Sequence, residues 1–363
     1  MKRLFAFPRF CLAGLFAAVI AFGGCAVSGS GETENNAVLT LMTWNIHNLF
    51  DGKDDGYEYA EFLQSSGWSN EKYRGRINTI ADAVHKIGAL PDIIMFQEIE
   101  SLQILEDIAA LLKRDYLWSH FAGNRESAAG LGIISCIPIT DIKTHSITIG
   151  GDTTPRPVLE TRIQAEHGGF IVFICHWKSK TGGDNTELIR RASVRVILRR
   201  IHEIWKDEPD TGIIIAGDLN ENFNEFYIQG SGIICALLPD DPDCAALAGD
   251  TEEGQKDFIV VSGDMPPVPV CFPEETVVLY SPWVNELEGG TYYYRNKWET
   301  IDHFLVSIQF FDNSGWEYDN TSIVNYEPFG DLNGVPVSYN QRTGNGLSDH
   351  LPLLLTLKSK NGN

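Results

Sequence analysis

The chain has no Cys-x-x-Cys pair and no cysteine–histidine spacing suited to zinc, which removes a thiolate metal centre from consideration. It has no internal repeat at a fixed period, which excludes a solenoid or propeller. Positive charge is scarce: 28 Lys and Arg against 49 Asp and Glu leave a net charge of −21. That balance argues against long-range attraction to nucleic acid or anionic lipid. A phosphate substrate stays open, because carboxylates gathered for a divalent cation reverse their local sign when the cation binds. The uncharged, largely apolar run at residues 10–22 is short for a membrane span.

What is present is ordinary globular sequence. At 363 residues, 43% hydrophobic and 21% charged, the chain suits one large domain or two smaller ones, and 34 glycines with 16 prolines suit many short connections. Lys2, Arg3 and Arg9 precede the apolar run, and Phe22-Gly23-Gly24-Cys25 follows it. This has the shape of an export signal over residues 1–25 that ends like a lipobox, with Cys25 as the lipidated residue. The expectation is an exported, membrane-anchored lipoprotein, periplasmic or on the cell surface. A flexible tether at residues 26–37 and one folded domain at 38–358 follow. Cys136 and Cys175 lie in apolar runs and read as buried thiols. Cys235, Cys244 and Cys271 share an irregular region where export would permit one disulfide.

Short β-branched runs predict strands at 38–44, 93–97, 132–135, 170–176, 212–216, 301–307 and 351–357. Helical spacing predicts helices at 76–87, 102–112 and 186–206. Strands with interspersed helices fit mixed sheets covered by helices. Residues 230–275 and 313–346 read as irregular surface stretches, too polar and interrupted to form core.

Six places bring an apolar strand against a polar group: Thr43-Trp44-Asn45, Phe96-Gln97-Glu98, His176-Trp177-Lys178, Gly217-Asp218-Leu219-Asn220, Ile301-Asp302-His303 and Ser348-Asp349-His350. Any one alone reads as a turn, a cap or a structural histidine. Six together read as one crevice at the edge of neighbouring strands. Carboxylate and amide oxygens without thiolates suit Mg2+, with Mn2+ or Ca2+ as alternatives. An Asp–His couple supplies a base, and a further histidine with a cation supplies charge stabilisation.

With these residues in this order, the sequence resembles the endonuclease/exonuclease/phosphatase superfamily over about residues 38–357. Gly217-Asp218-Leu219-Asn220 and Ser348-Asp349-His350 are the most specific motifs. The segment after His176, and Gly290-Thr291-Tyr292 running into Ile301-Asp302-His303, look most like its secreted bacterial nuclease-like branch. The resemblance implies a DNase I-like four-layer α/β sandwich: two mixed, mostly antiparallel β-sheets flanked by helices. It also implies roles. Asn45, Glu98 and Asp349 would hold the metal, and His350 would be the general base oriented by Asp302. Asp218 and Asn220 would position water and the scissile phosphate, and His176 would assist an oxygen of that phosphate. Lys178, Lys180 and Arg125 stand where phosphate contacts are expected. His47 occupies a position where the AP-endonuclease branch carries an Asp.

Tyr292, Tyr293 and Tyr294 read as a strand-forming aromatic cluster. Arg190, Arg191, Arg195, Arg199 and Arg200 either track a polyanion or pair with neighbouring acids. The function expected first is a metal-dependent phosphodiesterase acting on DNA or RNA. A sphingomyelinase-like phospholipid phosphodiesterase, a phosphatase of small phosphate esters and a non-catalytic surface-binding lipoprotein are the alternatives. The membrane is expected as a partner through the anchor, and no obligate protein partner is evident.

Overall fold

Alternation along the strands sorts apolar side chains onto two faces. In Val38–Leu49, Leu39 and Leu41 enter one core cluster while Met42, Trp44 and Ile46 enter another. Ile93–Ile99 does the same with Ile93 and Met95 against Ile94 and Phe96. The structure is a computed structural model that describes residues 36–360, apart from 125–126, 155, 184, 231–232 and 250–256. The export signal, Cys25, most of the tether and Arg125 therefore lie outside the described residues. Ala37, expected in the tether, is fixed against the last strand: its N–H donates to Ser359 Oγ at 2.8 Å.

Two large sheets form. The six-stranded sheet runs Gly315–Ile323, Leu353–Lys360, Val38–Leu49, Ile93–Ile99, Gly130–Ser135 and Trp118–Ala122 in spatial order. Its one parallel pairing joins Val38–Leu49 to Ile93–Ile99. The eight-stranded sheet runs Leu237–Pro239, Ile259–Ser262, Val278–Tyr280, Asp302–Val306, Gly212–Asp218, Gly168–His176, Val158–Ala165 and Ile139–His145. Leu39, Leu41 and Met95 of the first sheet pack against Phe170, Ile174, Ile214 and Phe304 of the second. Helices α1 (Asn70–His85) and α2 (Leu102–Leu112) cover the outer face of the first sheet through Ile77, Ile80, Val84, Ile104 and Ile108. Helix α3 (Asn185–Asp207) covers the second through Val194, Ile197 and Ile201. The result is helix, sheet, sheet, helix: the four-layer sandwich expected from the resemblance.

Two expectations need correcting. Residues 230–275 are not core-free, because Cys235, Leu238, Cys244, Phe258, Val260 and Phe272 bury together in a satellite core. The stretch also contributes Leu237–Pro239 and Ile259–Ser262 to a sheet edge. Residues 313–346 contain the edge strand Gly315–Ile323 and bury Trp316 and Phe329. In both places single apolar residues spaced among polar ones suffice to anchor a polar segment. Cys136, Cys175, Cys235, Cys244 and Cys271 are all free thiols, so no disulfide joins the last three.

Candidate active site

The inter-sheet faces run out, at one end of the sandwich, into polar residues of the same parity. Phe170, Val172 and Ile174 are followed two residues on by His176, and Ile214 and Ala216 by Asp218. Val306 and Phe304 lead back to Asp302, and Leu39 and Leu41 lead to Asn45 through Thr43. Register sets them side by side: Asp218 pairs with His176 across a parallel ladder and with Asp302 across an antiparallel one. Gly217 permits the close approach. Its φ is +127°, and a Cβ there would lie 2.1 Å from the Cys175 carbonyl oxygen.

Glu98 breaks this parity. Its position in the strand would send it toward the helices, but a bulge between Gln97 and Ile99 and a φ of +64° re-aim it into the cleft. Asn45 Nδ2 then donates to Glu98 Oε1 at 3.3 Å and to Asp218 Oδ2 at 3.0 Å, tying the two sheets together. His47 and Asn48 are also left-handed, at φ +56° and +57°. Asn48 N–H donates to Glu98 Oε2 at 3.0 Å, and His47 N–H to Asn45 Oδ1 at 3.0 Å. The buried Arg76 of α1 locks this turn by donating to the carbonyl oxygens of Ile46, His47 and Asn48 at 2.7, 2.6 and 2.5 Å.

His350 Nδ1 lies 2.8 Å from Asp302 Oδ2, which also accepts Thr291 Oγ at 2.6 Å. His350 Nε2 faces Asp218 Oδ2 and Asp349 Oδ1, each at 4.0 Å. Ser348 Oγ donates to the Asn45 carbonyl at 2.6 Å and accepts His350 N–H at 3.1 Å, so the Ser-Asp-His segment is fixed to the Asn45 strand. His176 Nε2 lies 3.5 Å from Asp218 Oδ2 and 3.6 Å from Glu98 Oε1. Asn220 Nδ2 donates to the Trp177 carbonyl at 3.1 Å. Glu98, His176, Asp218, Asn220, Asp349 and His350 border a cleft of about 430 Å3.

Burial lowers the His176 pKa well below 6.5, with Arg156, His350 and Lys178 adding repulsion, which favours the neutral ring. Burial works against the charged form of His350 too. There the charge and hydrogen bond of Asp302, with Asp218 and Asp349 behind it, win and raise its pKa well above 6.5. Burial pushes Asp218 up to about 7, opposed by His350, Arg156 and the Asn45 hydrogen bond and reinforced by Asp302.

Of the residues singled out in sequence, Asn45, Glu98, His176, Asp218, Asn220, Asp302, Asp349 and His350 come together here. Asn45, expected as a metal ligand, donates through Nδ2 to both carboxylates, and its Oδ1 accepts His47 N–H. Lys180 borders the cleft but is held by Glu225 at 2.6 Å and Glu299 at 3.1 Å. Lys178 borders the neighbouring cavity instead. His303 is structural, with Nε2 2.8 Å from the Glu221 carbonyl and a pKa lowered to about 4, chiefly by burial. The basic helix pairs with acids: Arg190 with Glu187 and Glu221, Arg191 and Arg195 with Asp257, Arg200 with Glu160.

Sequence reasoning missed Arg156 and under-read Tyr292. Arg156 lines the cleft ahead of the strand Val158–Ala165, and nothing in its local sequence marks it. The Tyr292 ring lies 4.8 Å from the His350 imidazole and 6.1 Å from the Tyr294 ring, so the aromatic hairpin is also a wall of the cleft.

The donor set fits a hard divalent cation. Glu98, Asp218 and Asp349 are carboxylates, no thiolate is near, and among the described residues no lysine or arginine ion-pairs with them. Asp218, Asp302 and His350 also lie within 4.8 Å of one another, but Asp302 Oδ2 is committed to His350 and Thr291. A second such group, Glu187, Glu221 and Cys235, is closed by Arg190 and the N–H groups of Ala236 and Leu237.

Fold and cleft define a two-sheet sandwich with a carboxylate–histidine centre at one end. The sequence profile of the Endonuclease/Exonuclease/phosphatase family matches residues 40–231, more than half the chain, and the chain belongs to that family. An endonuclease/exonuclease/phosphatase family protein from Bacteroides thetaiotaomicron is similar in structure with a TM-score of 0.51 and 14% identity, covering 90% of this chain and 96% of its own. Truncated Caenorhabditis elegans TDP2 is similar with a TM-score of 0.50 and 13% identity, covering 88% and 97%. At these identities the likeness establishes the fold. No curated protein matches the chain in sequence.

Proposed function

We propose that the chain is a divalent-metal-dependent phosphodiesterase whose first substrate class is nucleic acid. One observation carries this reading: an Asp302–His350 pair faces the same cleft as Glu98, Asp218 and Asp349, carboxylates that no lysine or arginine neutralises among the described residues. Glu98 and Asp349 would hold the cation, with Asn45 fixing Glu98 and Asp218 against each other. Bound there, the cation would offset negative charge on the phosphoryl oxygens.

Charge on Asp218, Asp349 and Asp302 favours the imidazolium of His350, and a cation held by the carboxylates would offset that charge and favour the neutral ring. In that neutral form His350 Nε2 takes the proton of the attacking water while Asp302 holds the ring through Nδ1 and stabilises the imidazolium that forms. Asp218 and Asn220 orient that water and the phosphate. Neutral His176 donates a hydrogen bond to a non-bridging oxygen, with Arg156, which also borders the cleft, as the fixed positive charge. Incubation of the purified chain with plasmid DNA, RNA and sphingomyelin vesicles in Mg2+ tests the substrate class. Nicking or strand cleavage that disappears in His350→Ala is expected. Choline phosphate release without any strand cleavage would overturn the nucleic-acid assignment.

The reading extends to export and anchoring through Cys25, motivated by Lys2, Arg3, Arg9 and the apolar run that precedes Phe22-Gly23-Gly24-Cys25. Membrane fractionation of wild type and Cys25→Ala tests it: release of the variant alone supports the anchor, and equal fractionation removes it.

A further inference from the structure

We propose that the cavity beside the cleft holds a second, non-reacting phosphate of a polynucleotide together with its nucleoside. This rests on the phosphodiesterase reading and names its substrate class. The cavity measures about 330 Å3, within the roughly 300–1,000 Å3 typical of ligand sites. It is bordered by Tyr59, Ser127, Thr154, Arg156, Lys178 and Ile189. Arg156 borders the catalytic cleft as well, and its Nη1 donates to the Trp177 carbonyl, which fixes the guanidinium at the divide.

Two cations border this one cavity. Lys180, Arg190, Arg191, Arg195 and Arg200 each ion-pair with at least one carboxylate. Arg156 and Lys178 pair with none among the described residues, in a chain where 49 acids outnumber 28 bases. Two cations held together without counter-charge oppose each other: burial and then Arg156 lower the Lys178 pKa. An anion between them relieves that opposition, and the Thr154 hydroxyl, which reaches the Arg156 carbonyl only at 3.5 Å, can turn to donate to its oxygens. Ile189 and the exposed Tyr59 ring offer an apolar, planar wall for a base.

A polynucleotide carries a phosphate on either side of each sugar, so a scissile phosphate in the cleft places another next to it. A choline phospholipid brings one phosphate and a cationic head, which Arg156 and Lys178 would repel. The two cavities therefore favour a nucleic-acid strand.

The test compares the full chain, Lys178→Gln, Lys178→Arg and Ile189→Glu in Mg2+ on two substrates. One is bis(4-nitrophenyl) phosphate, with a single phosphate; the other is a short single-stranded oligodeoxynucleotide. The expected result is a KM for the oligonucleotide raised about tenfold in Lys178→Gln and Ile189→Glu and restored in Lys178→Arg. Turnover of the small diester stays within about twofold. An unchanged oligonucleotide KM, or equal losses on both substrates, overturns the proposal. If wild type cleaves the small diester but not the oligonucleotide, the pocket proposal fails while the phosphodiesterase reading survives. If it cleaves neither, fluorescence anisotropy decides: oligonucleotide binding weakened by Lys178→Gln keeps the pocket and rejects the catalytic reading, and no binding rejects both.

Discussion

His350 depends on the carboxylate beneath it. Asp302 Oδ2 receives both His350 Nδ1 and Thr291 Oγ, which sets the ring and leaves Nε2 facing the cleft. Asp302→Asn should therefore lower kcat by about 10²–10³ with little change in KM, because positioned general-base catalysis is worth roughly that much. A loss below about threefold would show that His350 is not the base. Arg76 never reaches the cleft, yet it satisfies three successive carbonyl oxygens of the turn that aims Asn48 N–H at Glu98. Arg76→Met should destabilise the fold by about 3 kcal/mol or more, since each buried acceptor left unmet costs about 1–3 kcal/mol. Urea unfolding measures this, and an unchanged midpoint would contradict it. The site was legible where period-two alternation carries an apolar face into a polar tip, as at His176, Asp218 and Asp302. It was not legible where function depends on backbone turns. Glu98 was singled out in the sequence, but the left-handed turn that aims it and that of His47–Asn48 leave no mark there, and neither does a lone cation such as Arg156.

Among the elements, Glu160 joins two strands to a helix. It sits on Val158–Ala165 and meets Arg200 Nε of α3 at 2.8 Å and His145 Nε2 of Ile139–His145 at 2.7 Å. Burial opposes its ionisation, but the hydrogen bonds from His145 and Arg200 hold its pKa down to about 2 from 4.5. A carboxylate with a depressed folded pKa stabilises the fold fully above pH 4.5, and the effect fades as pH falls toward 2. The contribution is roughly 1–3 kcal/mol. Urea midpoints at pH 7, 4.5 and 3 should fall less steeply for Glu160→Gln than for wild type; parallel curves would reject the linkage. Of the elements that Glu160 joins, sequence patterning had left out both strands, Val158–Ala165 and Ile139–His145. Ile139–His145 is largely exposed, and Gly315–Ile323 alternates weakly, so neither carries the apolar run by which central strands such as Gly212–Asp218 are recognised. Helix α3 was legible in extent, but only the folded chain shows that Arg190, Arg191, Arg195 and Arg200 are matched by Glu187, Glu221, Asp257 and Glu160.

The whole molecule carries −21, so a polyanion gains little from its overall field. With Arg190, Arg191, Arg195 and Arg200 of α3 paired, Arg156 and Lys178 are the cations that border the cavity beside the cleft and can meet backbone phosphates there. The logarithm of 1/KM for single-stranded DNA should then fall with the logarithm of salt concentration at a slope of only about −1 to −2, as two neutralised phosphates give roughly −1.4. A slope beyond about −4 would place a basic surface elsewhere. The central strands were legible because they are the most apolar ones, and the resemblance implied the four layers they build, while the edges and the satellite core around Phe258 and Phe272 were not legible. The central claim is metal-dependent phosphodiester hydrolysis at the end of the sandwich. It is tested most directly by release of 4-nitrophenol from bis(4-nitrophenyl) phosphate with Mg2+, with EDTA, and with Mg2+ restored, for wild type and His350→Ala. The result expected is turnover by wild type that EDTA abolishes and Mg2+ restores, and that His350→Ala lowers by at least about 10²-fold. Turnover that survives EDTA, or that His350→Ala retains in full, would contradict it.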